Sequence, residues 1–99
     1  MEYKISNLAS HDLEEIWLYT YENWSHEQAD SYLNLIINEI ELLARNPNLG
    51  NDFGYVRKGY YSLKIKSHII FYRVDKKEHY LEIIRILHQR MDIENRLQD

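Results

Sequence analysis

The last third of the chain sets the terms for the rest. Between Tyr60 and His88, three segments of strand character follow one another with only short turns between them. Tyr60 to Lys66 alternates, with Tyr61, Leu63 and Ile65 on one side and Tyr60, Ser62, Lys64 and Lys66 on the other. His68 to Val74 is dense in apolar residues, and Asp75-Lys76-Lys77-Glu78 reads as a polar turn. Tyr80 to His88 alternates again, with Leu81, Ile83, Arg85 and Leu87 opposite Tyr80, Glu82, Ile84, Ile86 and His88. Connections this short join antiparallel neighbours. The segment is therefore an antiparallel meander, and everything before it must pack on or beside that sheet. With 44% apolar and 13% aromatic residues, 99 residues can bury one core, which predicts a single domain over 1–99.

The first half has a different period. Glu2 to Ser6 reads as a short strand that pairs at an edge or joins parallel to a later one. Asn7 or Ser10 offers a helix N-cap, and Asp12, Glu14 and Glu15 sit in the early turns, where the helix dipole favours negative charge. Ala9, Leu13, Ile16, Trp17, Thr20 and Trp24 form one helical stripe that ends near Asn23. Ser25-His26-Glu27-Gln28 is a capping box. Ala29, Tyr32, Leu33, Ile36, Ile40 and Leu43 then repeat at helical spacing, widened by Leu35, Ile37 and Leu42. Asn46-Pro47 ends this second helix, because residues before proline avoid helical angles. Tyr55-Val56-Arg57 reads as a short extra strand, and Met91 to Leu97 as a turn or two of helix. The fold class is α+β: an N-terminal strand, an antiparallel two-helix hairpin on a mainly antiparallel sheet of four or five strands, and a short helical tail. Two helices on one face leave the other partly open, and that open face is the expected working surface.

Several chemistries are excluded early. There is no cysteine, so disulfides, thiolate metal sites and a cysteine nucleophile are out, and a reducing cytoplasm fits. His11, His26, His68, His79 and His88 show no metal-ligand spacing, so no metal is expected. GxGxxG, GxxxxGK[ST] and GxSxG are absent, so no nucleotide cofactor or serine nucleophile is expected. The start of the chain lacks the apolar run of a signal peptide, and no stretch approaches the roughly 20 apolar residues of a membrane span. The net charge of −4 is unevenly spread. Residues 1–54 carry ten acidic and two basic residues, and residues 55–99 carry ten basic and six acidic ones. The second half can therefore face an anionic partner.

The residues left for function are a basic group in that second half: Arg57, Lys58, Lys64, Lys66, Arg73, Arg85, His88 and Arg90. Two readings stand. In one, His88 is a general acid or base for RNA cleavage, with Arg57 or Arg73 stabilising the scissile phosphate. In the other, Arg73 and Arg85 are ion-pair partners of acids such as Glu82 or Asp92, and His88 ends a strand. Tyr72 and Tyr80 are candidates for stacking bases.

The segments DLEEIWLY, ARNPNLG, HIIFYRV and IIRILHQRMD, in this order and at these spacings, resemble the ParE branch of the RelE/ParE toxin superfamily. The resemblance covers nearly the whole chain, and IIFYRV followed by RILHQRMD is its specific part. It implies a helical hairpin on an antiparallel sheet. It also implies a toxin that inhibits DNA gyrase by binding, without catalytic groups of its own. A ParD-like antitoxin would neutralise it, filling an apolar groove and covering basic sheet residues. Contact with operator DNA would run only through that antitoxin, in a homodimer or a hetero-oligomer with it. Arg73, Arg85, His88, Arg90 and Asp92 match the family's C-terminal pattern. Arg57 and Gly59 match the pattern before the central strands, and Pro47 and Gly50 match the loop. On that basis Arg57, Lys64, Arg73, Arg85, His88 and Arg90 are the partner-binding candidates. RelE relatives cut mRNA on the ribosome, so an endonuclease built on His88, Arg57 and Arg73 is the alternative.

Overall fold

The computed structural model describes residues 1–98. Strand β1 (Glu2–Ile5) leads into helix α1 (Asn7–Asn23) and helix α2 (His26–Arg45). A 3-10 turn at Pro47–Leu49 and a two-residue strand β2 (Asn51–Asp52) precede the meander β3 (Tyr61–Ile65), β4 (His68–Asp75) and β5 (Tyr80–His88). A short helix α3 (Ile93–Arg96) follows. The sheet order is β1-β5-β4-β3-β2, with β1 parallel to β5 and every other pair antiparallel. The extra strand is therefore Asn51–Asp52. Tyr55, Val56 and Arg57 lie in a turn, where the Val56 and Arg57 amides both donate to the Phe53 carbonyl.

The helix caps differ from the expectation in one place. Ser6, placed in the strand by its alternation, is the N-cap of α1, and its hydroxyl accepts the Ala9 amide at 3.0 Å. The capping box is half used: Ser25 Oγ accepts the Gln28 amide at 3.1 Å. Each such cap contributes about 1 kcal/mol. Pro47 ends α2 as expected, and the Asn46 amide closes the last turn onto Leu42 and Leu43.

The helices cover one face of the sheet. Ala9, Leu13 and Ile16 from α1 and Ile36, Ile40 and Leu43 from α2 meet Ile65, Ile70, Tyr72, Leu81, Ile83 and Ile86. Full burial of a side chain of this size stabilises by about 1.5–3 kcal/mol. Tyr72 is fully buried here, so it cannot stack on a base. Its hydroxyl donates to the Pro47 carbonyl and accepts the Gly50 amide, both at 2.9 Å. A Cβ at residue 50 would collide with that ring, so Gly50 serves a close approach. Gly59 is the turn glycine, with φ of +83°. Tyr80 is half-buried beneath Lys4, whose ammonium sits 4.1 Å from the ring centre.

The parity read for β5 fails half-way along. Phe71 pairs with Arg85 but Tyr72 pairs with Ile83, so Ile84 is an extra residue in β5. Such a bulge shifts all later residues by one face. Ile86 joins Leu81 and Ile83 beneath the helices, while Leu87 turns to the opposite face. That opposite face is not left open at this end. Phe71 and Leu87 are covered by Leu97, Phe53, Val56, Tyr60 and Ile93, which come from the loop before β3 and from the C-terminal tail.

Candidate functional site

β1 covers the outer edge of β5 only from Tyr80 to Ile83. Beyond it, backbone groups of β5 need other partners, and the start of α1 supplies them. The Ser6 amide donates to Ile83 O at 3.0 Å, and Ser6 Oγ donates to the carbonyl of the bulged Ile84 at 2.8 Å. Asp12 Oδ2 then accepts the Ile86 amide at 2.9 Å. The same carboxylate receives Arg85 through two bonds, Nε to Oδ2 at 2.8 Å and Nη2 to Oδ1 at 3.0 Å. Both residues are buried, Asp12 at 9% and Arg85 at 7% exposure. Arg85 Nη1 also approaches the Arg96 carbonyl at 3.4 Å, which ties α1, β5 and α3 together.

Beside this anchor lies a groove of about 1170 Å³. One wall is α1, with Ile16, Tyr19, Thr20 and Trp24, and the other is α2, with Gln28, Tyr32 and Leu35. Arg85, Ile86, His68 and His88 form the floor, and Lys66, Met91 and Arg96 lie at its ends. Tyr19 and Trp24 are 60% and 62% exposed, so the groove has a large apolar rim open to solvent.

His68 and His88 face each other across β4 and β5, with ring centres 5.2 Å apart and planes at 84°. The Tyr32 hydroxyl lies 2.6 Å from His68 Nδ1. Burial, then the neighbouring His88, pushes the His68 imidazole down to about 4, against a smaller opposite pull from Asp12. Burial raises the Tyr32 phenol. At neutral pH both are uncharged. His88 Nδ1 accepts the Arg90 amide at 3.1 Å.

The basic residues singled out from sequence do not converge. His88 and Arg85 reach the groove, and Arg85 is engaged by Asp12 rather than by Glu82 or Asp92. Arg73 pairs with Glu82 at 2.7 Å, as one of the two sequence readings allowed. Arg57 donates to the Leu97 carbonyl at 2.9 Å, beside the second core cluster. Lys64 is exposed on β3. Arg90 is exposed just past β5, and its amide meets His88. Asp92 precedes α3 and accepts the Asn95 side chain at 2.6 Å. Sequence reasoning missed Asp12, Tyr32 and His68 as parts of one site. For Asp12 a signal existed: it lies three residues after Ala9 and four before Ile16, on the apolar stripe.

The sequence profile of the family described as "ParE toxin of type II toxin-antitoxin system, parDE" matches residues 3–93. The chain belongs to the ParE toxin family. A relative named Toxin ParE1 from Mycobacterium tuberculosis is 41% identical over 95 residues, 96% of each chain. Another Toxin ParE1, from Caulobacter vibrioides, is 39% identical over 90 residues, 91% of each chain. A solved structure described as a chromosomal ParDE toxin–antitoxin system from P. aeruginosa superposes with a TM-score of 0.77 at 22% identity, covering 89% of this chain and 95% of that one. The RelBE2 toxin–antitoxin complex of Mycobacterium tuberculosis gives a TM-score of 0.59 at 18% identity, with 88% and 95% covered. The ParE-type fold thus holds here, with its helical hairpin, five-stranded sheet and short terminal helix. Among the described residues, no helix of this ParE-family chain is long and apolar enough to cross a membrane.

Proposed function

We propose that this ParE-family toxin inhibits DNA gyrase by binding it, and that a ParD-like antitoxin neutralises it by laying a segment into the groove between the helical hairpin and the end of the sheet. What carries the reading is that the arginines expected to serve a phosphodiester cleavage, Arg57 and Arg73, do not join His88 in the groove. Cleavage calls for a proton-transfer group and a cation aimed at the same phosphate. His88 lies in the groove, but Arg57 is spent on the Leu97 carbonyl and Arg73 on Glu82. The Arg85 fork is closed on a carboxylate. Family membership favours the same target class, and the solved neighbours described as toxin–antitoxin systems favour an antitoxin partner. The exposed aromatic rim suits a segment that folds as it binds, and contact with operator DNA would be carried by the antitoxin.

The test is a supercoiling assay with purified gyrase, run beside ribosome-dependent cleavage of a message. Inhibition of gyrase without cleavage is expected, and His88→Gln should retain it. Cleavage of the message with no effect on gyrase, abolished by His88→Gln, would overturn the reading in favour of the endonuclease.

A further inference from the structure

The groove floor brings together two imidazoles whose free edges have no use in the contacts described so far. We propose that His68 and His88 form a two-histidine site for a first-row transition-metal ion of the Zn²⁺, Ni²⁺ or Cu²⁺ class. This goes beyond the toxin reading and does not depend on it.

Three observations carry the proposal. The two residues are direct cross-strand partners, so the sheet fixes their separation. Their Nδ1 atoms are occupied, one by the Tyr32 hydroxyl and the other by the Arg90 amide, while no protein partner meets either Nε2 among the described residues. Because no buried side-chain nitrogen among those residues lacks a partner, both Nε2 atoms reach solvent, and both residues line the groove. Finally, the ring spacing fits. With metal–nitrogen bonds of about 2.1 Å and a ring radius of roughly 1.2 Å, two imidazoles at about 109° on one ion have centres roughly 5.4 Å apart. The observed spacing is 5.2 Å.

The surroundings favour this class of ion over others. Imidazole nitrogen suits Zn²⁺, Ni²⁺ and Cu²⁺, whereas Mg²⁺ and Ca²⁺ want oxygen ligands. Neutral imidazole is the binding form. The Tyr32 hydroxyl orients His68 from behind, as outer-shell partners of metal-bound histidines do. For His88 the proton balance has a consequence. Its Nδ1 accepts the Arg90 amide, so the neutral ring carries its proton on Nε2. Coordination through Nε2 moves that proton to Nδ1 and breaks the Arg90 contact. Water or a carboxylate from whatever occupies the groove would fill the remaining positions.

The test is calorimetric titration of the full chain with Zn²⁺ and with Cu²⁺, with nitrogen–proton correlation spectra recorded alongside. One ion per chain is expected, Cu²⁺ binding tighter than Zn²⁺ and Mg²⁺ not at all. The Arg90 amide should shift on binding. His88→Gln should weaken binding at least tenfold, with circular dichroism confirming the fold. Tyr32→Phe should weaken it by roughly 10-fold through the lost orientation of His68. The competing surface sites are His11 with Glu15 and His26 with Asp30, so the double variant His11→Gln/His26→Gln should bind as the wild type does. Absence of saturable binding would overturn the site. So would binding that survives His88→Gln but is lost in the His11/His26 double variant.

Discussion

Replacing Asp12 with alanine should be among the most damaging single changes in the protein. Two separate losses coincide there. The guanidinium of Arg85, at 7% exposure, loses the carboxylate that it meets through two bonds, and breaking a buried pair by removing one partner costs about 3–5 kcal/mol. The Ile86 amide, on the strand edge that β1 does not reach, loses its acceptor, which costs about 1–3 kcal/mol when nothing replaces it. The terms share one carboxylate and do not add fully, so about 4 kcal/mol is the working figure. A domain of this size has a total stability of about 5–15 kcal/mol. Urea unfolding followed through the fluorescence of Trp17 on α1 and Trp24 at its C-cap reads this directly. With a slope of about 1–3 kcal/mol per molar, the midpoint should fall by roughly 2 M.

The two losses can be separated. Asp12→Asn keeps an oxygen for the Ile86 amide but gives up the charge, so it isolates the ion-pair part. The double variant Asp12→Leu/Arg85→Met removes both charges and leaves no buried guanidinium short of its carboxylate, although the Ile86 amide and the Arg96 carbonyl each lose a partner, so it should be more stable than Asp12→Ala by about 2 kcal/mol or more. A loss below about 1 kcal/mol for Asp12→Ala, the range of an exposed pair, would refute the claim that this contact closes the sheet edge.

Three other contacts carry measurable consequences. Gly50→Ala would drive a methyl group into Tyr72 and disturb the hydroxyl that serves Pro47 and Gly50, so thermal unfolding should show a loss of about 2–4 kcal/mol, larger than that of Tyr72→Phe. His68 is held at about 4 in the fold against 6.5 in the unfolded chain, so the unfolded state takes up its proton first. Stability should therefore be flat above about pH 6.5 and fall between 6.5 and 4, by about 1–2 kcal/mol after discounting for partial exposure. His68→Gln, compared in the same metal-free buffers, should remove that part of the slope. Leu97→Ala should cost about 2–3 kcal/mol and loosen α3, visible as faster amide exchange at Leu97 and Gln98, because Leu97 seals the second cluster and its carbonyl holds Arg57.

Strand and helix identities were legible because period and caps are local signals. The alternation of Tyr61, Leu63 and Ile65 survives unchanged in β3, and Ser25 caps α2 as its spacing suggests. What the sequence hid is a single bulge. Ile84 has the β propensity of its neighbours and no glycine marks it, yet it moves Ile86 beneath the helices and sends Leu87 to the other face. Any assignment by parity alone was bound to invert residues 86 to 88. The site was hidden for a related reason. Tyr32 and His68 are 36 positions apart, and Asp12 and Arg85 are 73 apart, so their meeting depends on the helical hairpin crossing the end of the sheet.

That crossing also explains why one carboxylate carries so much. A parallel strand as short as β1 leaves half of β5 with an unpaired edge, which is normally a liability for aggregation. Ser6 and Asp12 turn the edge inward by presenting oxygens from the first turns of α1, and Arg85 neutralises the charge this brings into the core. The groove lies directly beside this anchor, between α1, α2 and the ends of β4 and β5, and Asp12 and Arg85 are part of its lining. A variant that weakens the Asp12 anchor without unfolding the chain, such as Asp12→Asn, should therefore alter what the groove binds before it alters the fold.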